Sequence, residues 1–425
     1  MQEAVMAIGY ACITLGVPGT AMHACTARNA DKAALHRITG QNLAALAQVI
    51  DYNSQNGILL YRISSDLIPF ASHPLNGQSW QDDFREKLAE IGVRIRGSGM
   101  RVSMHPGQYT VLNSPNPVVV ARAIEDLVYH DRLLSALGLD GQHKIILHIG
   151  GVYGDKPAAT ARFKSVYAGL SESIRRRLVL ENDERCFTAE EVLAIAEELG
   201  APAVYDNLHN QINPSDNKRD DSTWIALFEK TWRSGDGRQK IHYAQQDQAG
   251  RRGAHAGSIR LAEFLEFYRP ISDSAPDIML EVKDKNLSAL KCSYAAQPER
   301  MPKTGLEKEW ARYKYAVLSR SAQIYHQMTE LMKQDGRSAA KDFYSLVEAA
   351  FDLMPNTGAE ENAALHVWGY FKDRCTEQEK KTFFSKLEKA KSDRAFRAVK
   401  RLLFRLAQRY EVDYLLNAYY FLDSK

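Results

Sequence analysis

The sequence has few cysteines, and they follow no ordered spacing. Its 425 residues include five cysteines, an odd number, and no two of them stand in the C-x-x-C spacing of a thiolate zinc site. This scatter argues against a disulfide framework and favours a reducing compartment. We therefore expect a cytoplasmic protein.

The chain also lacks a strong excess of charge and a long apolar segment. Lysine and arginine number 55 against 52 acidic residues, so a polyanion would have to meet a local patch rather than a bulk field. No apolar run is long enough to span a bilayer. The run at residues 4–15 has no basic lead-in, and we expect a strand there rather than a signal peptide. No membrane contact and no obligate protein partner are implied.

What the sequence does contain is an alternation of short β-rich runs with longer runs of helical period. Eight β-rich runs are each followed by a helical run, and repeated βα units of this number favour an α/β fold, a closed (β/α)₈ barrel, over an open sheet. We expect this barrel domain to occupy residues 1–290. The predicted strands are residues 5–10, 58–63, 101–105, 144–149, 178–181, 203–206, 240–244 and 278–282.

Strand signals stop after about residue 286. Beyond it the apolar residues recur at helical spacing, and no convincing strand separates the helical runs. The pattern predicts a small all-α domain over residues 305–425, in which 21 basic residues stand against 17 acidic ones. The predicted helices are residues 306–333, 339–354, 362–374, 377–391 and 394–410.

Histidines and carboxylates recur at the C-terminal ends of the predicted strands. A (β/α)₈ barrel builds its active site at that end, so we expect these side chains to share one site. For any single histidine the ordinary alternative is a buried ring bonded to a carbonyl, but chance would not repeat the placement on consecutive strands. The set is His73, His105, His148, Glu181, Asp206, His209, His242, His255 and Glu281.

The chemistry of this set predicts a cluster of divalent metal ions. Imidazoles and carboxylates without thiolates suit manganese or zinc, whereas calcium takes oxygen ligands only. Nine candidates exceed what one ion binds, so two or three ions are expected. Lys240 lies two residues before His242 and faces the barrel interior with it. Its amine is neutral, carbamylated as a ligand, or paired with Glu181 or Glu281.

Six short motifs then occur in order between residues 9 and 283. They are Y-R-I-S-S at 61–65, F-A-S-H-P at 70–74, S-M-H-P-G-Q-Y at 103–109, H-I-G-G at 148–151, L-E-N-D-E at 180–184 and G-A-H-A at 253–256. Together they resemble the UV damage endonucleases, metal-dependent repair nucleases related in fold to endonuclease IV. The resemblance implies that the nine residues above hold the metal cluster. It also implies nicking of UV-damaged double-stranded DNA immediately 5′ of pyrimidine dimers and 6-4 photoproducts, leaving a 3′-hydroxyl and a 5′-phosphate.

The same resemblance assigns roles to further residues. Gln108 and Tyr109 match a pair that probes the duplex at the lesion, and Tyr10 matches an aromatic that contacts it. Lys240 matches an active-site lysine, and we expect catalytic roles for Lys240, Glu181, Glu281 and His242. The chain departs from the family pattern where Ala11, Thr14 and Asn210 replace an expected proline, asparagine and histidine.

Other functions and other DNA contacts stay open at this point. Barrels with divalent ions also serve as sugar isomerases or epimerases, and a non-catalytic damage-binding protein is a third hypothesis. Some basic residues near the strand ends are equally expected to contact phosphates or to be solvated surface charges. They are Arg251, Arg252, Lys283 and Lys285. Residues 365–372 and 417–420 resemble the YbgA-like helical domain of unknown function. Its Trp368 and Tyr370 would contact DNA or, as we favour, pack inside the bundle.

Overall fold

The chain folds as two compact units. The computed structural model describes residues 6–424, with side chains to residue 422. The first unit contains Gly19–Leu290 together with the segment that ends at Thr14. The second unit contains Leu15–Pro18 and the residues from Lys291 onward. No helix of residues 6–424 combines the length and apolar character needed to cross a bilayer.

Eight parallel strands form the centre of the first unit and confirm the predicted barrel. Strands that follow one another in sequence pair with each other, except β6 and β7, and β1 also pairs with β8. The remaining seam is closed by a parallel bridge between Asp206 and His242, where the His242 amide donates to the Tyr205 carbonyl at 2.9 Å. The strands are β1 Ile8–Ala11, β2 Leu60–Ile63, β3 Arg101–Met104, β4 Lys144–His148, β5 Leu178–Glu181, β6 Ala203–Val204, β7 Lys240–Tyr243 and β8 Asp277–Leu280.

Helices follow the strands and have local sequence causes. In the helix that follows β5, the Thr188 side chain accepts from the Glu191 amide in a capping box, and Gly200 ends the helix in the left-handed region at φ 64°. The helices of this unit are α1 Lys32–Gln55, α2 Trp80–Asp83, α3 Arg85–Gly97, α4 Pro117–Ala136, α5 Lys156–Gly169, α6 Glu172–Arg177, α7 Ala189–Leu199, α8 Asn207–Ile212, α9 Asp221–Glu229 and α10 Leu261–Tyr268, and α11 Asn286–Ala296 runs across the boundary between the two units at Leu290.

Several strands end earlier than the sequence predicts. The ladder of β3 stops at Met104, that of β6 at Val204 and that of β8 at Leu280. His105, Asp206 and Glu281 therefore follow their strands, and the placement of Glu281 within β8 is wrong. Pairing ends where the backbone turns away at the barrel mouth, which period-two alternation does not encode. The first predicted strand begins at Val5, which lies outside the described residues.

Strands β1 and β2 approach more closely than a side chain allows at one position. A Cβ atom on Gly9 would lie 2.0 Å from the Leu60 carbonyl oxygen. Glycine is therefore required where these two strands meet.

The second unit is a bundle of helices, which confirms the predicted all-α region. The predicted helix 306–333 is two helices, because the Ser321 side chain accepts from the Ile324 amide and caps a new start. The core includes Trp368, whose ring stacks on Phe383 with centroids 4.3 Å apart. The helices are α12 Lys303–Leu318, α13 Ala322–Leu331, α14 Gly336–Asp352, α15 Thr357–Trp368, α16 Glu377–Asp393, α17 Arg397–Arg409 and α18 Asp413–Leu416.

A buried histidine near β4 makes the stability of the fold depend on pH. His143 is 8% exposed, and its Nδ1 accepts a hydrogen bond from the Val102 amide at 3.1 Å. Burial lowers the pKa of this imidazole to about 4, against 6.5 for an ordinary histidine. The unfolded chain therefore binds a proton before the folded chain does. Stability is fully present above pH 6.5 and is lost as the pH falls towards 4.

Substituting His143 with asparagine is expected to weaken this pH dependence. The Asn Oδ1 atom takes the place of Nδ1 as the acceptor and does not titrate. Relative to wild type, H143N should gain up to about 3 kcal/mol of unfolding free energy between pH 6.5 and pH 4. Urea unfolding of the metal-free protein at several pH values measures this. A wild-type-to-variant difference that stays constant with pH would contradict the assignment.

Candidate metal centre

Glu181, the last residue of β5, lies at the centre of the ionisable side chains in the barrel mouth. It is fully buried. Its Oε2 lies 3.0 Å from Nε2 of His105 and 3.4 Å from Nε2 of His148, and its Oε1 lies 2.5 Å from Nδ1 of His242. Both oxygens of one carboxylate thus face imidazole nitrogens that three other strands bring to the same end.

Two groups of potential metal ligands share this carboxylate. In each group the donor atoms lie within 4.8 Å of one another. The arrangement can hold two ions with Glu181 between them. The first group is His105, His148 and Glu181, and the second is Glu181, Asp206, His242 and Glu281.

The orientation of His105 fits a cation between it and Glu181. Its Nδ1 lies 3.0 Å from the Pro106 carbonyl, which only accepts, so Nδ1 carries the proton and donates. In a neutral ring the Nε2 lone pair then faces the Glu181 oxygen. The two atoms lie 3.0 Å apart, close enough to share a proton or to bind the same cation, and a backbone carbonyl that accepts from the other ring nitrogen is typical of metal-bound histidine.

The protonation states in the cluster also suit divalent ions. Burial lowers the pKa of His242 to about 4 and also lowers that of His148, so both rings are neutral. Burial alone would raise the pKa of Glu181, but its interactions with His242, His148 and His105, which include hydrogen bonds to the rings of His242 and His105, hold it well below its usual range. Asp206, whose pKa burial raises to about 7, has an Oδ2 atom without a hydrogen-bond partner among the described residues. Neutral imidazoles and desolvated carboxylates are what metal binding needs.

Arg62, which is not among the predicted site residues, belongs to this cluster. Its side chain is buried, and Nη2 donates to Oε1 of Glu281 at 2.7 Å and to Nε2 of His242 at 2.8 Å. One guanidinium offsets part of the charge of three carboxylates, which leaves negative charge for divalent ions to neutralise. The available signal was an arginine inside an apolar strand, since a buried guanidinium needs an acidic partner.

Three of the predicted ligands lie at the edge of the cluster or outside it. His209 Nδ1 donates to the Asn182 carbonyl at 2.9 Å, and its Nε2 lies 3.7 Å from Glu184, another residue without a predicted role. His255 Nε2 lies 3.7 Å from Glu281. His73 is exposed, and its Nδ1 accepts from the Leu75 amide. The structure does not bring His73 into either ligand group.

Lys240 begins β7 and is completely buried. Its Nζ has no hydrogen-bond partner in the part of the chain that is described, so the predicted ion pair with Glu181 or Glu281 is not formed. Burial and the nearby Arg101 lower the pKa of Lys240 well below its usual range. This environment favours the neutral amine over the ammonium. Whether it is an active-site residue stays a prediction.

The turn after His105 presents two side chains to solvent. Gln108 and Tyr109 occupy the corner of a turn closed by the Thr110 amide and the Gly107 carbonyl at 2.9 Å, and Tyr109 is 68% exposed. The Tyr109 ring lies over Gly107, where a Cβ atom would be 2.4 Å from it. A side chain at position 107 would therefore collide with the exposed ring, and glycine avoids this.

Tyr10 does not share this exposure. It is fully buried, and its hydroxyl lies 2.6 Å from Thr14 Oγ1 and donates to Asn53 Oδ1 at 2.8 Å. Its ring packs against Tyr61. The structure therefore gives Tyr10 a packing role and no access to a duplex, because both its ring and its hydroxyl are already engaged.

The predicted phosphate contacts are unequal. Arg252 donates to the Ile212 carbonyl at 2.6 Å, and Lys283 pairs with Asp247 at 2.8 Å. Arg251 is exposed, and no side-chain partner is described for it. Lys285 is half-buried and is therefore less accessible than Arg251. Of these four, Arg251 has the side chain most open to an external phosphate.

Ser65 ties the backbone at His105 to the helix behind it. Its Oγ lies 2.7 Å from the His105 carbonyl and 2.9 Å from Nε2 of His130. We expect Ser65→Ala to weaken divalent metal binding about 10- to 100-fold, as loss of a ligand's supporting contact does. The matched control is Ser64→Ala, because the Ser64 hydroxyl accepts a hydrogen bond from the Asp66 amide and forms none with His105 in the described part of the chain. Manganese titrations of both variants test this, and equal affinities would contradict it.

Comparison with known proteins agrees with the geometry. Residues 8–299 match the family described as UV-endonuclease UvdE, and residues 314–423 match a family of proteins of unknown function, DUF1722. A UV DNA damage endonuclease of Clostridium perfringens is 45% identical over 288 residues, which cover 68% of this chain and 70% of that protein. One of Bacillus velezensis is 34% identical over 267 residues, covering 62% and 83%.

A solved structure extends the match to three dimensions. The crystal structure of SacUVDE superposes with a TM-score of 0.65 at 34% sequence identity, covering 69% of this chain and 99% of that one. More than half of the chain thus matches one family, whose relatives are named as endonucleases. The protein is an enzyme that belongs to the UV-endonuclease UvdE family.

Proposed function

We propose that this enzyme nicks duplex DNA immediately 5′ of UV photoproducts, both pyrimidine dimers and 6-4 photoproducts, and leaves a 3′-hydroxyl and a 5′-phosphate. Membership of the family supports damaged DNA as the substrate. The observation that carries the proposal is the segment from His105 to Tyr109, in which a candidate metal ligand and an exposed aromatic ring are four residues apart. Hydrolysis and damage sensing would occur at adjacent positions on one turn.

The nine predicted ligands would hold two or three divalent ions, with manganese as the first choice and zinc as the alternative. Two of these ions would occupy the groups that share Glu181. When bound, such ions supply Lewis acidity and water activation at neutral pH. His73, His209 and His255 would complete the coordination at the rim of the cluster.

The side chains of the enzyme have separate tasks around this centre. Glu181 and Glu281 hold the charge of the cluster, and Arg62 fixes the carboxylate of Glu281 and the ring of His242. Lys240, as a neutral buried amine, is suited to hold a proton or to be carbamylated into a further ligand. The low polarity around these groups strengthens each charge interaction with a scissile phosphate.

Gln108 and Tyr109 would enter the duplex at the lesion. Photoproducts weaken stacking and pairing, so opening the duplex there costs less free energy than at an intact step. An exposed aromatic ring can replace the stacking that the displaced nucleotides lose. A sugar isomerase, the alternative on the same type of barrel, has no use for a ring that is 68% exposed at the mouth.

Nicking of supercoiled plasmid tests this function. UV-irradiated plasmid with added manganese should be converted to the open circle, whereas unirradiated plasmid, or irradiated plasmid with a chelator, should stay supercoiled. If pure, metal-loaded enzyme leaves irradiated plasmid intact, the proposed function fails.

We further propose that the enzyme works in the cytoplasm. All five cysteine thiols are free, which suits a reducing compartment, and no protein partner is required by the proposed reaction.

A further inference from the structure

Helix α17 of the second unit carries an unusual row of positive charge. Its thirteen residues include five basic ones and no acidic one. Three of the basic residues, Arg397, Arg401 and Arg405, are exposed and follow one another at intervals of four. Residues four apart share a helix face, so these like charges repel one another and destabilise the helix unless an anion lies nearby.

The remaining two basic residues of the helix already have acidic partners. Lys400 pairs with Glu360 at 3.0 Å, and Arg409 pairs with Glu379 at 2.8 Å. Within the described residues, no ion pair or side-chain hydrogen bond engages Arg397, Arg401 or Arg405. The two basic residues outside the row therefore have acidic partners, whereas the three arginines of the row have none among the described residues.

The row forms one wall of a groove of about 910 Å³. The other wall comes from α16 and adds Lys386 and Lys389, which also lack a described partner. Ala390, Ala398 and Phe404 supply apolar parts of the lining, and Asp393 is its one carboxylate among the described lining residues. We call this feature the basic groove.

A second concavity continues from the basic groove. It has a volume of about 470 Å³, shares Arg397 with the first, and adds Arg320 and Arg394. Its carboxylate, Glu360, is the one engaged by Lys400. The positive surface is thus longer than one groove, as a chain-like anion requires.

We propose that the basic groove binds the phosphate backbone of DNA. Successive arginines rise by about 6 Å along the helix, so the row spans about 12 Å, which corresponds to the rise of three to four phosphates of one strand along the duplex axis. Guanidinium groups bind phosphates through paired donors. The repeat of the row favours a polymer of evenly spaced anions over an acidic peptide. Trp368 takes no part in this contact, since it is buried in the core.

The proposal goes beyond the nicking reaction and rests on it only for the choice of DNA as the polyanion. Its test is binding of the full-length enzyme to an undamaged 30-base-pair duplex at a series of salt concentrations. R401Q/R405Q removes two charges from the row. R337Q/K341Q removes two exposed, unpaired charges with the same spacing from α14 and is the matched control. R401K/R405K keeps the charge.

Each lost phosphate contact lowers the slope of log affinity against log salt by about 0.9. We expect R401Q/R405Q to reduce the slope by about 1.8 and the affinity at moderate salt by about tenfold, while the α14 control and the lysine variant stay near wild type. Equal slopes for R401Q/R405Q and R337Q/K341Q would overturn the proposal, and so would an acidic peptide that binds wild type more tightly than the duplex does and loses this affinity in R401Q/R405Q.

The outcome is separable from that of the proposed function. If the wild-type enzyme fails to nick irradiated plasmid, but R401Q/R405Q binds the duplex more weakly than wild type does, the nuclease proposal fails and the basic groove stands. If wild type nicks the plasmid and R401Q/R405Q keeps the full salt slope, the groove proposal fails alone. Circular dichroism of each variant checks that the exposed substitutions leave the helices folded.

Discussion

Replacing Glu181 with glutamine is expected to lower the nicking rate about 10³-fold and to reduce the number of divalent ions bound. The substitution keeps the shape of the side chain but removes the charge that both ligand groups share. Its two oxygens face His105, His148 and His242, so one change affects the whole cluster. The lost electrostatic stabilisation of the transition state would be about 4 kcal/mol. Metal analysis and plasmid nicking measure the two effects.

The control for this substitution is Glu190→Gln. Glu190 lies in the helix after the same strand, and its carboxylate accepts from Asn217 rather than facing the cluster. This variant should keep its metals and nick at nearly the wild-type rate. If E181Q bound as many ions as E190Q, the shared-carboxylate arrangement would be refuted.

Replacing Tyr109 with alanine is expected to separate damage recognition from metal binding. The exposed ring would no longer stack in the opened duplex, and stacking on an aromatic side chain contributes about 1–3 kcal/mol per base. Affinity for UV-damaged duplex should therefore fall about 10- to 100-fold. Affinity for undamaged duplex and the metal content should stay unchanged, because the ring contacts neither ligand group.

Two further variants make the test specific. Tyr109→Phe keeps the ring and should retain most of the affinity for damaged DNA. His105→Ala should do the reverse of Y109A, losing metal and nicking while it still binds the lesion. A Y109A variant that lost metal, or an H105A variant that kept full activity, would show that the two tasks are not divided along this turn.

The architecture was readable from the sequence because it depends on a regular repeat. Eight β-rich runs alternate with helical runs, and each strand contributes its end to the same face of the barrel. This logic also located Glu181 and His148, which end their strands, and His105, which directly follows β3, since residues at the end of a parallel strand have little freedom. The exact strand ends were not readable, because pairing stops where loop geometry turns the chain.

Residues farther from the strand ends were harder to place. His73 lies in a loop whose path carries it to an exposed position, and no periodicity describes such a loop. Tyr10 has the sequence context of a residue that contacts the lesion, but its hydroxyl forms hydrogen bonds with Thr14 and Asn53 inside the protein. Arg62 was passed over as part of a motif, although its burial makes an acidic partner obligatory.

The helical unit shows the same limit from the other side. Its helices follow from apolar spacing, and the burial of Trp368 agrees with packing rather than DNA contact. Net charge gave little hint of the basic groove, since a surplus of four over the region is small. What distinguishes Arg397, Arg401 and Arg405 from solvated surface residues is that the other basic residues of the same helix have acidic partners.

The most direct test of the account is a duplex with one defined pyrimidine dimer and an end label on the damaged strand. With manganese, wild-type enzyme should yield a single cut at the phosphodiester immediately 5′ of the dimer, with a 3′-hydroxyl that a polymerase can extend. E181Q should yield none under the same conditions. Cutting at another position, a 3′ end that cannot be extended, or equal cutting by E181Q would contradict the account.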